Sequence, residues 1–128
     1  MQDQPRILLI EAEPSLRHTL ALILRHAGYA VTTACYTQDA LRGADPPAYD
    51  LIFLDVDRGK PGSTELLELI HRLSPDVPAL ILAASLAVGT ENTAGANERR
   101  AYLVKPIDPA KMLACIRDLL ARSRPVAG

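Results

Sequence analysis

The most constraining feature of the chain is a short, wholly apolar run that stops on a carboxylate. Leu51-Ile52-Phe53-Leu54 holds no polar residue, and Asp55 follows at once. Side chains along a strand alternate between faces, so a run apolar at every position suits a strand covered on both sides. Ile7-Leu8-Leu9-Ile10 is a second run of this kind, ended by Glu11-Ala12-Glu13. Ala79-Leu80-Ile81-Leu82 is a third, and Tyr102-Leu103-Val104, followed by Lys105-Pro106, is a shorter one. Ala30-Val31-Thr32-Thr33-Ala34 is more polar and reads as an edge strand.

Helical spacing lies between these runs. Leu16, Leu20, Ile23, Leu24 and Ala27 recur at helical intervals, with Pro14 in the first turn and Gly28 as the stop. Thr37 to Gly43 reads as a short helix, and Asp45-Pro46-Pro47 breaks the chain before the third strand. A Gly/Pro-rich loop after Asp55 leads to Leu66, Leu69, Ile70 and Leu73, a helix closed by Ser74-Pro75. The last helix takes Asp108 as N-cap and Pro109 at its first position, with Met112, Leu113, Ile116, Leu119 and Leu120 on its apolar face. Ser85 to Arg100 fits less well. Parallel neighbours need a crossover there, yet Leu86 and Val88 are its large apolar residues and Gly89 and Gly95 interrupt it. A short, weak or mobile helix is expected.

Strand and helix thus alternate five times, which gives a parallel sheet with helices on both faces. The expected fold is α/β: a (βα)5, doubly wound, five-stranded sheet of flavodoxin-like order 2-1-3-4-5. A chain of 128 residues makes one domain, with 1–122 expected as the domain and 123–128 as a tail or the start of a linker. Aromatics are only 4% of the residues, so the core is aliphatic. The net charge of −1 gives no reason to expect nucleic-acid or acidic-membrane binding. No apolar run approaches the roughly 18–20 residues of a membrane span, and the N-terminus lacks the order of a signal peptide; a cytoplasmic protein is expected. Cys35 and Cys115 read as free, buried thiols, and His18, His26 and His71 as solvated helix residues. There is no Gly-rich phosphate loop, nucleophile elbow or Cys/His metal cluster, which argues against an unrelated enzyme on the same architecture.

The strand order brings the chemistry together. Strands one and three are neighbours, so Glu11 falls beside Asp55 at the C-terminal sheet edge, where ligands gather in open α/β folds. The end of strand five brings Lys105 to the same place. Two carboxylates and an ammonium there point to phosphoryl chemistry: a carboxylate nucleophile, oxygen ligands for magnesium, and a cation for the phosphoryl oxygens. A plain ion pair of Lys105 with the two acids fits the same residues.

In Ile7 to Arg17, Ala27-Gly28-Tyr29, Pro47 to Asp55, and Tyr102-Leu103-Val104-Lys105-Pro106-Ile107, the chain resembles a response-regulator receiver domain of two-component signalling, over about Arg6 to Arg122. The resemblance implies that Asp55 is the phosphoacceptor, taking its group from the phosphohistidine of a sensor histidine kinase. It implies that Glu11, Asp55 and the backbone carbonyl of Asp57 hold magnesium. Lys105 would contact the phosphoryl group, with a cis peptide to Pro106, and Tyr102 would be the aromatic that rotates inward on activation. No enzymatic role is expected beyond self-phosphorylation and dephosphorylation at Asp55. Expected partners are the kinase and an output domain or partner protein outside these residues, with homodimerisation open.

The chain also departs from the family's pattern. Receivers carry two adjacent acids after strand one, and the second, a direct magnesium ligand, is here Ala12. The Thr or Ser that ends strand four is Ala83, so the switch hydroxyl is lost. The usual Pro four residues after the acceptor is Gly59, and Glu98-Arg99-Arg100 stand where a Gly-Ala pair is usual. Magnesium is therefore expected to bind weakly or not at all; Glu13 could replace residue 12 only by a different loop path. The missing hydroxyl removes a hydrogen bond to a charged group, worth about 1.5–3 kcal/mol. With that leverage gone, Tyr102 is expected inward, or in both positions, without phosphate, and buried against Ser85–Arg100. The alternative reading is a pseudo-receiver: a phosphorylation-independent interaction or dimerisation module.

Overall fold

Each of the apolar runs feeds two cores at once. In the computed structural model, which describes residues 4–34, 49–56, 77–83 and 100–123, Ile7, Leu9, Leu51, Phe53, Leu80 and Leu82 join one buried cluster. Their neighbours Leu8, Ile10, Ile52, Leu54, Ala79 and Ile81 form a second. This is the period-two alternation of strands covered on both faces.

The strands are β1 (Arg6–Ile10), β2 (Ala30–Ala34), β3 (Leu51–Val56), β4 (Ala79–Ala83) and β5 (Arg100–Val104). All pair in parallel, in the order β2-β1-β3-β4-β5. The polar β2 is an edge strand, as its Thr32 and Thr33 require, for both are exposed. β3 continues one residue beyond Asp55, to Val56, and β5 starts at Arg100, before its apolar portion.

Two helices are described, α1 (Pro14–His26) and α2 (Pro109–Ser123). Both pack on the first cluster: Leu20, Ala21 and Leu24 from α1, and Met112, Ile116, Leu119 and Leu120 from α2. They therefore share one face of the sheet. α1 ends at His26 with Ala27 as its C-cap, and Gly28 follows at φ +103°, a left-handed conformation that costs glycine little. α2 begins on an Asp108 cap, whose Oδ1 accepts the Ala110 N–H at 3.0 Å. The helices expected at Thr37–Gly43, Leu66–Leu73 and within Ser85–Arg100 lie outside the described residues, apart from Arg100. His18 and His26 are exposed on α1, and His71 lies outside the described residues.

One expectation is corrected. Cys115 is a free thiol but only half-buried, because it flanks the stripe that Met112, Ile116 and Leu119 turn into the core. Cys35 lies outside the described residues.

Candidate functional site

The site is built at the C-terminal ends of β1, β3 and β5. Register sets its first pair. Ile10 is opposite Leu54, so the next residues, Glu11 and Asp55, stand side by side. The Glu11 N–H donates to the Ala34 carbonyl at 3.0 Å, extending the ladder one residue past β1. Lys105 follows directly on β5 and reaches across β4; its Nζ lies 3.0 Å from Asp55 Oδ2. The Asp55 side chain is only 6% exposed, whereas that of Lys105 is 33% exposed. The Lys105–Pro106 peptide is cis.

Glu11 is almost wholly buried, at 3% exposure. Its Oε2 accepts the Glu13 N–H at 3.0 Å. Its Oε1 and the Oδ1 of Asp55 are buried with no hydrogen-bond partner among the described residues. Burial pushes the Glu11 carboxyl up to about 7, and the neighbouring Asp55 carboxylate pushes the same way. The Glu13 N–H and the Lys105 ammonium pull against that rise.

Around this pair the β1–α1 loop is held tightly. The Glu13 carboxylate turns away from Asp55 and caps α1, accepting from the Ser15 N–H at 3.1 Å and the Leu16 N–H at 2.6 Å. Both its oxygens are committed there. The Arg17 guanidinium reaches back from α1 to the carbonyls of Glu11, at 3.1 Å, and Ala12, at 3.4 Å. The family resemblance implies that residue 13 holds the loop, but sequence reasoning missed the helix cap and the Arg17 contacts. Glu is not among the preferred N-cap residues, and an Arg inside a helix announces no backbone partner.

Ala12 brings no side-chain oxygen. Ala83 closes β4 between Val56 and Val104. Asp57 lies outside the described residues. The half-buried Tyr102 packs on the second cluster, and its hydroxyl is buried with no partner among the described residues. Apart from Arg100, the segment Ser85–Arg100 lies outside the described residues.

The carboxylate pair fits a magnesium ion, though sparsely. Two adjacent carboxylates, each with a buried oxygen that has no partner among the described residues, call for a proton or a cation. Magnesium usually takes one or two carboxylates, with water and substrate phosphate completing its octahedron. Glu11 and Asp55 meet that need; no group of three or more His, Cys, Asp or Glu placed to hold a metal occurs among the described residues.

A family model for the response regulator receiver domain matches residues 7–117. The chain belongs to this family. The receiver is 32% identical over 125 residues to the transcriptional regulatory protein PrrA of Mycobacterium leprae, covering 94% of this chain and 52% of that protein. It is 30% identical over 122 residues to the transcriptional regulatory protein ZraR of Klebsiella oxytoca, covering 95% of this chain and 28% of that one. The receiver thus spans about half or less of these relatives' length. A CheY-like receiver domain from Methanospirillum hungatei superposes with a TM-score of 0.78 at 26% identity, covering 94% of this chain and 97% of its own. The chemotaxis protein CheY4 of Vibrio cholerae gives the same score and identity, covering 91% and 99%. The receiver is a signalling domain of the two-component kind, and no helix among its described residues is long and apolar enough to cross a membrane.

Proposed function

We propose that Asp55 is the phosphoacceptor of this receiver, with a sensor histidine kinase as the phosphoryl donor. The observation that carries this reading is the buried Asp55 carboxylate on the central strand, facing Lys105 at 3.0 Å and flanked by Glu11. One Asp55 oxygen attacks phosphorus, the phosphorus–nitrogen bond of the donor's phosphohistidine breaks, and the imidazole leaves with the electron pair. An acyl phosphate remains on Asp55. Lys105 is placed to meet the charge gathering on the phosphoryl oxygens. Glu11 and Asp55 would hold the magnesium ion, with the Asp57 backbone carbonyl as the further expected ligand; when bound, the ion would neutralise phosphoryl charge.

Magnesium binds this site more weakly than it binds a receiver with two adjacent acids. Ala12 brings no ligand and Glu13 is spent on α1. The phosphoryl group biases a surface that includes Tyr102 and the end of β4, with less leverage because Ala83 has no hydroxyl. An output domain or partner protein reads that surface.

Acetyl phosphate with magnesium, followed by intact mass, tests the proposal. One added phosphoryl group is expected, with none on Asp55→Asn. Ala12→Asp should lower the magnesium concentration needed. Labelling at another residue would sink the assignment, and no labelling at high magnesium would make the chain a phosphorylation-independent interaction module.

A further inference from the structure

We propose that Arg17 is a positioning residue for Glu11, acting through the Ala12–Glu13 peptide. The carbonyl and the N–H of a trans peptide are rigidly coplanar and point in opposite directions. Arg17 Nη1 holds the Ala12 carbonyl toward α1, at 3.4 Å, and the Glu11 carbonyl beside it, at 3.1 Å. The other end of the Ala12–Glu13 unit, the Glu13 N–H, therefore points back into the site. There it meets Glu11 Oε2 at 3.0 Å. Turning that carboxylate fixes where its Oε1 lies; that oxygen and the Oδ1 of Asp55 are both buried with no hydrogen-bond partner among the described residues.

Nothing else in the loop is free to do this. The Glu13 carboxylate is occupied by the Ser15 and Leu16 amides. Ala12 has no polar group in its side chain. Glu11 is thus the one carboxylate that the loop offers to the site, and its aim depends on an arginine one turn inside the next helix. Arg17 does not touch the reacting group. It resembles the outer partners of metal ligands, which orient a ligand without binding the ion.

The positioning stands on the loop geometry alone; its consequence for magnesium rests on the reading of Glu11 and Asp55 as the ion's ligands. The test uses Arg17→Met, which keeps the aliphatic stem, and Arg17→Lys, which keeps a charged donor. Arg25→Ala is the control, for Arg25 makes a like bond from α1 to the Val31 carbonyl at 3.0 Å, away from the site. Without divalent ions, the Glu13 amide proton should move upfield in Arg17→Met, stay near its wild-type position in Arg17→Lys, and not respond to Arg25→Ala. Magnesium titrated into the same samples should bind Arg17→Met roughly 10- to 100-fold more weakly than the wild type, with Arg17→Lys recovering most of the loss. A Glu13 amide that moves no more than in the control overturns the positioning; one that moves while magnesium affinity is unchanged upholds the positioning and overturns Glu11 as the ion's ligand. Wild-type protein with no saturable magnesium binding overturns the ion reading instead, and the amide shift still decides on Arg17. Should Arg17→Met not fold, Arg17→Gln takes its place in both measurements.

Discussion

Glu11 is held where burial and a neighbouring carboxylate both oppose its charge. Its pKa rises from an ordinary 4.5 to about 7. The folded chain therefore keeps this proton over a window in which the unfolded chain has lost it. By linkage, stability falls with rising pH wherever the folded state binds more protons. Glu11's contribution is present in full below about 4.5, and it is lost as pH rises through about 7. In EDTA, the melting temperature should decline across that window, and Glu11→Gln should flatten the decline. Equal slopes for the two proteins would show that Glu11 ionises as an ordinary carboxylate. The same pair explains why sequence reading stopped where it did. It placed Glu11, Asp55 and Lys105 at one edge, but how deeply the two acids are buried, and which of their oxygens find a donor, depends on geometry that spacing along the chain does not contain.

At the scale of the element, α1 shows how one acid can be withdrawn from a site. Glu13 lies close enough in sequence to replace the ligand absent at Ala12, yet its carboxylate caps the helix. The first N–H groups of a helix lack internal partners, and a cap satisfies them. Losing this cap in Glu13→Ala should cost about 0.5–2 kcal/mol of stability in a denaturant titration. Glu13→Gln keeps an acceptor oxygen and should recover most of that, with magnesium affinity unchanged. Weaker magnesium binding in Glu13→Gln alone would mean that Glu13 leaves the helix to bind the ion. Arg17 belongs to the same element and the same lesson: a helix controls the loop before it through side chains that reach backward.

At the scale of the whole molecule both faces of the sheet carry buried apolar residues, so β3 contributes to both cores. Phe53 faces the α1 and α2 side and Ile52 the other, each at 0% exposure. Truncating a buried aromatic costs about 3–5 kcal/mol and a buried Ile about 2–5. A domain of this size has roughly 5–15 kcal/mol in total, so Phe53→Ala and Ile52→Ala should each remove a large part of it. Thr32→Ala on the exposed edge should stay within about 0.5 kcal/mol. Urea midpoints decide the matter, and a near-neutral Ile52→Ala would mean that the second face is not tightly packed.

Apolar runs with no polar break, alternating with helical repeats, were enough to determine a parallel sheet covered on both faces. The flavodoxin-like order expected of such an alternation then placed Glu11, Asp55 and Lys105 at one edge. Those inferences rest on periodicity, which is local and survives in a single sequence. What only the tertiary structure decided was the direction of each polar group: Glu13 onto the helix, Arg17 onto two loop carbonyls, Lys105 across a strand to Asp55. It also left Cys115 at the flank of the buried stripe rather than inside it. A hydrogen bond depends on where donor and acceptor point after the chain has turned, and residues with the same sequence spacing can point either way.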